Sequence, residues 1–130
     1  MQTSVGKAFL KVTHDNLATV MKTGSVNVLS TSVLLGLMEQ AACKALEEVF
    51  DERTTISYKT DLSHKRPSAL GAKVTAVARV KKTSKDLVEF EIEAFDETGL
   101  IGTATHIRKF ISQDEFEENC YKTAINAKKI

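Results

Sequence analysis

The chain has 130 residues, 42% hydrophobic and 27% charged, which suits a single domain over 1–130 with a real core and excludes a disordered chain. Eighteen Lys and Arg against seventeen Asp and Glu leave a formal charge of +1, so the chain lacks the basic excess that nucleic acid demands of a partner. The most apolar stretch, residues 33–46, carries Glu39 and Lys44 and is too short to span a bilayer, and the first residues lack the apolar run of a secretory signal. Two cysteines, Cys43 and Cys120, without CxxC or Cys/His spacing, fit neither a disulfide framework nor a zinc site. A reducing cytoplasm is the expected location.

In chain order, Ala8 to Thr13 predicts a first strand, followed by an irregular or briefly helical stretch to Met21. From 28 to 48 the apolar residues Val33, Leu34, Leu37, Met38, Ala41, Ala42, Ala45 and Leu46, with Val49 beyond, repeat at i, i+3, i+4, i+7 and predict an amphipathic helix. A helix of this kind, roughly 18 residues, is ~27 Å long. The β-branched and aromatic run 54–62 predicts a strand. Val74, Ala76, Ala78 and Val80 alternate with Thr75, Val77, Arg79 and Lys81, and Val88, Phe90, Ile92 and Ala94 alternate with Glu89, Glu91 and Glu93. Leu100 to Ile111 gives a last long strand. Short connections at Lys82–Asp86 and Asp96–Gly99 read as hairpin loops. From Ser112 onward Phe116, Cys120 and Ile125 fall at loose helical spacing in a charged tail, which predicts a C-terminal surface helix. Helix and strands are segregated, so the class is α+β, and the order fits a hot-dog fold: an antiparallel sheet wrapped around one long central helix, with a C-terminal helix.

Three polar residues stand out. Glu39 lies roughly 100° from the centre of the apolar stripe on a helical wheel, a boundary position open to solvent or to a cleft. Thr31 sits in Ser30–Thr31–Ser32 at the helix start, where any of the hydroxyls can cap free N–H groups. That helix end can also hold a developing oxyanion. His64 falls where a strand gives way to the Pro67–Ser68 turn before Gly71, either a surface histidine or one facing a cleft. His14 and His106 have weaker claims. Cys43 lies roughly opposite the stripe with no base assigned to it by spacing. If Thr31 and Glu39 were both helical, the eight residues between them span ~12 Å. A joint site then needs Thr31 to precede the helix, or a second subunit.

Three runs taken together, VLSTS…LMEQAA, SHKRPSALG and GLIGTATHIR, resemble the hot-dog thioesterases of the fluoroacetyl-CoA thioesterase type. That family shows a Thr, a Glu eight residues on in an LMExA helix, a His about 25 residues later in an HxxxTPxG-like turn, and a strand near GxIGxGxHxR. Thr31, Glu39, His64 and Gly71 occupy the matching positions, and His106 and Arg108 match the last motif. The chain departs from the pattern at Ser68, Ala69 and Ala104, and at Thr55–Ile56–Ser57 in place of ValGlyThr.

The resemblance implies hydrolysis of a short acyl-CoA thioester. Glu39 would activate water or attack the carbonyl, His64 would return a proton to the thiolate, and Thr31 would orient them. Gly71, Arg66 and Arg108 are the implied substrate-binding residues, and Lys65, Arg79, Lys81 and Lys82 are further candidates for the CoA phosphates. The implied partner is the acyl-CoA itself, with no cofactor beyond coenzyme A as part of the substrate and no metal. A homodimer with its sites at the subunit interface, or a tetramer of such dimers, is also implied. One rival reading is another hot-dog reaction, hydration or dehydration of an acyl thioester, whose usual His/Asp or His/Glu placement is absent. The other is a non-catalytic module that binds an acyl-CoA or a small acid.

Overall fold

The computed structural model describes residues 4–47 and 53–128. Strand β1 (Val5–Lys11) is followed by a 3-10 turn (His14–Asn16), a short helix α1 (Ala18–Met21) and the long helix α2 (Thr31–Leu46). Four strands come next: β2 (Thr54–His64), β3 (Lys73–Thr83), β4 (Leu87–Asp96) and β5 (Gly99–Ile111). Helix α3 (Gln113–Lys128) closes the chain. The strands form one antiparallel sheet in the order β1-β3-β4-β5-β2, so β1 and β2 are its edges. This is the expected hot-dog arrangement, with α2 lying across one face of the sheet.

Alternation decides which face α2 covers. Val74, Ala76 and Ala78 of β3 and Val88, Phe90, Ile92 and Ala94 of β4 are buried against Leu34, Leu37, Met38, Ala41, Ala42 and Ala45 of α2. The glutamates of β4 take the other face, where Lys81 pairs with Glu89 and Glu91. Strand β1 begins at Val5, earlier than its apolar residues suggest, because Gly6 is where the helix touches the sheet. A Cβ on Gly6 would lie 2.1 Å from Ala41 O and 2.3 Å from Ala45 N. The helix is thereby drawn onto the β1–β3 side. The inner face of β5 and β2 is left for polar side chains.

Helix α2 starts at Thr31, within the Ser30–Thr31–Ser32 run expected to open it. Ser30 holds extended dihedrals (φ −66°, ψ 139°), and its Oγ accepts the Ser32 N–H at 3.3 Å. Leu29 is tied down by a bridge to Leu17 and by its N–H to Ser68 O at 2.9 Å. Residues 48–52, with Val49 of the apolar repeat, lie outside the described residues. Helix α3 has no buried residue. Among the described residues no helix is long and apolar enough to cross a membrane.

Candidate active site

Capping falls to Ser30, which releases the next hydroxyl. Thr31 Oγ1 lies 2.8 Å from His64 Nδ1, joining the first residue of α2 to the last of β2. His64 is held there by its neighbours. The Lys65 and Arg66 N–H groups both donate to Ile101 O, at 2.7 and 3.1 Å. Ser68, fully buried, donates its hydroxyl to Asp96 Oδ2 at 2.8 Å, and Asp96 Oδ1 accepts both the N–H and the hydroxyl of Thr98. Burial opposes the charge of Asp96, but the bonds from Thr98 and Ser68 outweigh it and hold the carboxyl below its usual range. The His64 imidazole faces a cavity of about 300 Å³ lined also by Ala18, Leu29, Lys65 and Arg66. Its Nε2 is buried and has no hydrogen-bond partner among the described residues. Desolvation lowers its pKa from 6.5, with the backbone at Arg66 partly opposing, so the ring is neutral near pH 7.

Glu39 is two turns further along α2, ~12 Å from Thr31 by helical rise, over the β5–β2 half of the sheet. Its Oε2 accepts a hydrogen bond from Ser57 Oγ and lies 3.8 Å from Arg108 Nη1. Arg108 is buried, 7% exposed, and four hydrogen bonds tie its guanidinium to the protein. Nε reaches Thr55 Oγ1 at 2.9 Å and Nη2 reaches Thr55 O at 3.3 Å. Nη1 serves Ser57 Oγ at 3.0 Å and His106 Nε2 at 3.2 Å. His106 is fully buried, stacked on Phe90 with centroids 6.1 Å apart, and its Nδ1 lies 2.6 Å from Thr60 Oγ1. Thr31 therefore meets His64 within one chain, while Glu39 belongs to a second cluster. Thr31 is the first residue of α2, so within one chain the helix keeps the two clusters apart.

A profile of the fluoroacetyl-CoA-specific thioesterase family, FlK, matches residues 12–114. The chain is a member of that family. The FlK-type fold is seen in solved structures at low identity. A hypothetical protein of Thermus thermophilus, a thioesterase superfamily member, superposes with TM-score 0.90 at 21% identity over 100% of this chain and 97% of its own. A FlK variant in complex with fluoroacetate and CoA gives TM-score 0.80 at 20% identity, covering 89% of this chain and 99% of its own. A hot-dog-like protein from Thermanaerovibrio acidaminovorans gives 0.83 at 21%, covering 93% and 90%. No curated protein matches the sequence.

The other residues of this FlK-family chain singled out from sequence divide by place. Arg66 lines the Thr31–His64 cavity, its guanidinium bonded to Thr98 O and Oγ1 at 3.3 and 2.9 Å. Gly71 is not in that lining. Its φ of 89° forms the turn before β3, and its N–H donates to Val12 O at 2.8 Å. Arg79 lies on the outer face of the sheet beside Glu91, as does Lys81, which is ion-paired there, far from α2. Cys43 is exposed and borders a shallow cavity with Glu39 and Arg108. His14 is on the surface beside Asp15. Among the described residues no three His, Cys, Asp or Glu side chains converge for a metal.

Sequence reasoning passed over Ser57, Thr60 and Thr55, and treated Arg108 as a contact for substrate. The missed signal was parity. Ala104, His106, Arg108 and Phe110 share one face of β5, and that face is the buried one.

Proposed function

We propose that this chain hydrolyses a short acyl-CoA thioester, with Thr31, His64 and Glu39 acting together in a site that two copies complete. The observation that carries the reading is the 2.8 Å contact between Thr31 Oγ1 and His64 Nδ1 in a small cavity at a helix N-terminus, in a member of a thioesterase family. Lys65 and Arg66 at that cavity suit the phosphates of CoA, and Gly71 shapes the loop that presents them.

The dimer supplies Glu39. Strand β2 is an unpaired edge of eleven residues, none of them buried, with Tyr58 61% exposed at its bulge. Such an edge is a template for a second strand. Antiparallel two-fold pairing of β2 with its copy runs the His64 end of one strand along the Ser57 end of the other. The partner's carboxylate then approaches the imidazole that its own chain keeps at a distance.

In this site Glu39 draws a proton from water as the water oxygen adds to the thioester carbonyl carbon. Amide N–H groups in the first turn of α2 hold the carbonyl oxygen as it becomes negative. The C–S bond breaks, and His64, neutral beforehand, relays the proton to the departing thiolate. The products are a carboxylate and free CoA. No prosthetic group takes part.

Thiol release from acetyl-, propionyl- and butyryl-CoA tests the reading. Glu39→Gln should lose turnover by about a hundredfold or more while still binding the ester. Tight binding without turnover in the unaltered protein would establish the binding module instead.

A further inference from the structure

The inner face of β5 and β2 carries a buried cation most of whose donors are taken by the protein itself. Arginine has five N–H donors and no acceptor. Four hydrogen bonds from Arg108 reach Thr55 twice, Ser57 and His106. Glu39 is its ion-pair partner among the described residues. Burying a guanidinium this way is unfavourable unless it is paired and hydrogen-bonded.

The Arg108 donor fixes the state of its neighbour. Since Nη1 donates to His106 Nε2, that nitrogen must accept, and the ring proton sits on Nδ1, from which it is donated to Thr60 Oγ1. Burial first, then the Arg108 charge, lower the His106 pKa and keep the ring in that neutral state, against a smaller opposing effect of Glu39. Donation thus runs outward from Arg108 in two directions, through His106 to Thr60 and to Ser57. The Ser57 hydroxyl, receiving an N–H from Arg108, turns its own hydrogen to Glu39 Oε2.

We propose that Arg108, with Ser57 in front of it and His106 and Thr60 behind it, is a positioning residue that holds the Glu39 carboxylate in one orientation for the reaction, and is not a contact for CoA. The proposal rests on the role given to Glu39 above. It explains the side chain that most needs holding. Glu39 has a long flexible stem and is 35% exposed on a boundary of the helix, while Arg108 is anchored at both ends of its guanidinium by β2.

The experiment compares two esters of the acyl group most readily cleaved: the CoA ester and the N-acetylcysteamine ester, which lacks the CoA phosphates. Arg108→Lys keeps the charge and loses the fork, so kcat should fall about ten- to hundredfold on both esters with KM changed little. Ser57→Ala should lower kcat about tenfold, and Ser57→Thr, which keeps the hydroxyl, should recover most of it. A merely structural role would leave the kcat of the folded fraction unmoved. If Arg108→Lys retains kcat and raises KM on the CoA ester alone, Arg108 is a CoA contact and the proposal is overturned. If Arg108→Lys does not fold, Ser57→Ala decides: unchanged kcat overturns the proposal. Glu39→Gln measured alongside separates the two ideas. Turnover kept in Glu39→Gln overturns the thioesterase site itself, whereas turnover lost there but kept in both Ser57→Ala and Arg108→Lys overturns only the positioning role.

Discussion

Two glycines on opposite sides of one helix give a sharp test of how α2 is seated. A methyl group at Gly6 would meet the backbone of α2 at 2.1 Å from Ala41 O and 2.9 Å from Ala45 Cα, against 3.4 Å for ordinary contact. The obstacle is helix backbone, not a flexible side-chain tip. Relief requires α2 to retreat by about 1.3 Å, which opens gaps around Leu37, Met38, Ala41 and Ala45. Overpacking of this kind costs about 1–3 kcal/mol, and backbone on both sides puts Gly6→Ala at the upper end, about 3 kcal/mol. At Gly36, inside the same helix, an added methyl group would meet nothing within 4 Å, so Gly36→Ala removes only the entropic penalty of glycine and stabilises by about 1 kcal/mol. Urea titration of the two variants against the parent chain reads both numbers. Shifts of the same sign, or a Gly6→Ala midpoint equal to that of the parent, would refute the account of why β1 begins where it does.

Thr31→Val keeps the shape of the side chain and removes the bond to His64 Nδ1, leaving both ring nitrogens without a fixed partner; kcat should fall about ten- to hundredfold, and Thr31→Ser should retain most of it. A Thr31→Val enzyme with full kcat would remove the hydroxyl from the site. Stability should fall as pH drops below 6.5. Above that value both folded and unfolded chains hold His64 and His106 neutral; below it the unfolded chain takes up protons first, because both folded pKa values are lowered, and the loss stops once the folded rings are protonated. His106 faces Arg108 on its own strand and Glu39 on α2, and His106→Gln should flatten the dependence. A urea midpoint equal at pH 7.5 and pH 5.5 would contradict this.

The architecture was readable because each strand states its own face. The alternation in 74–80 and 88–94 returned as β3 and β4, and the helix stripe returned as the buried residues of α2. The helix start expected in Ser30–Thr31–Ser32 returned as the Ser30 cap, with Leu29 before it committed to Leu17 and Ser68. The start of β1 moved for a reason that no local pattern carries. The first strand was expected from Ala8, yet it begins at Val5, and the close approach of α2 asks for glycine at Gly6.

At the site the residue types were legible and their grouping was not. Three adjacent hydroxyls can all cap, and only the tertiary contact 33 residues away shows that Thr31 is the one spared. Arg108 looked like one more exposed cation among several. Its position in step with Ala104 and Phe110 on the core face of β5 was the clue to its burial, while its partners Thr55 and Ser57 come from the distant edge strand.

The claim that two chains share one reaction centre is tested most directly by mixing two inactive variants. Glu39→Gln and His64→Ala are co-expressed in equal amounts and thiol release is measured. With random pairing, half the dimers are mixed and each mixed dimer has one intact centre, so about a quarter of the unaltered turnover should return. Mixed dimers that form and stay inactive would contradict the account, because the acid and the imidazole would then have to serve within a single chain, where α2 holds them apart.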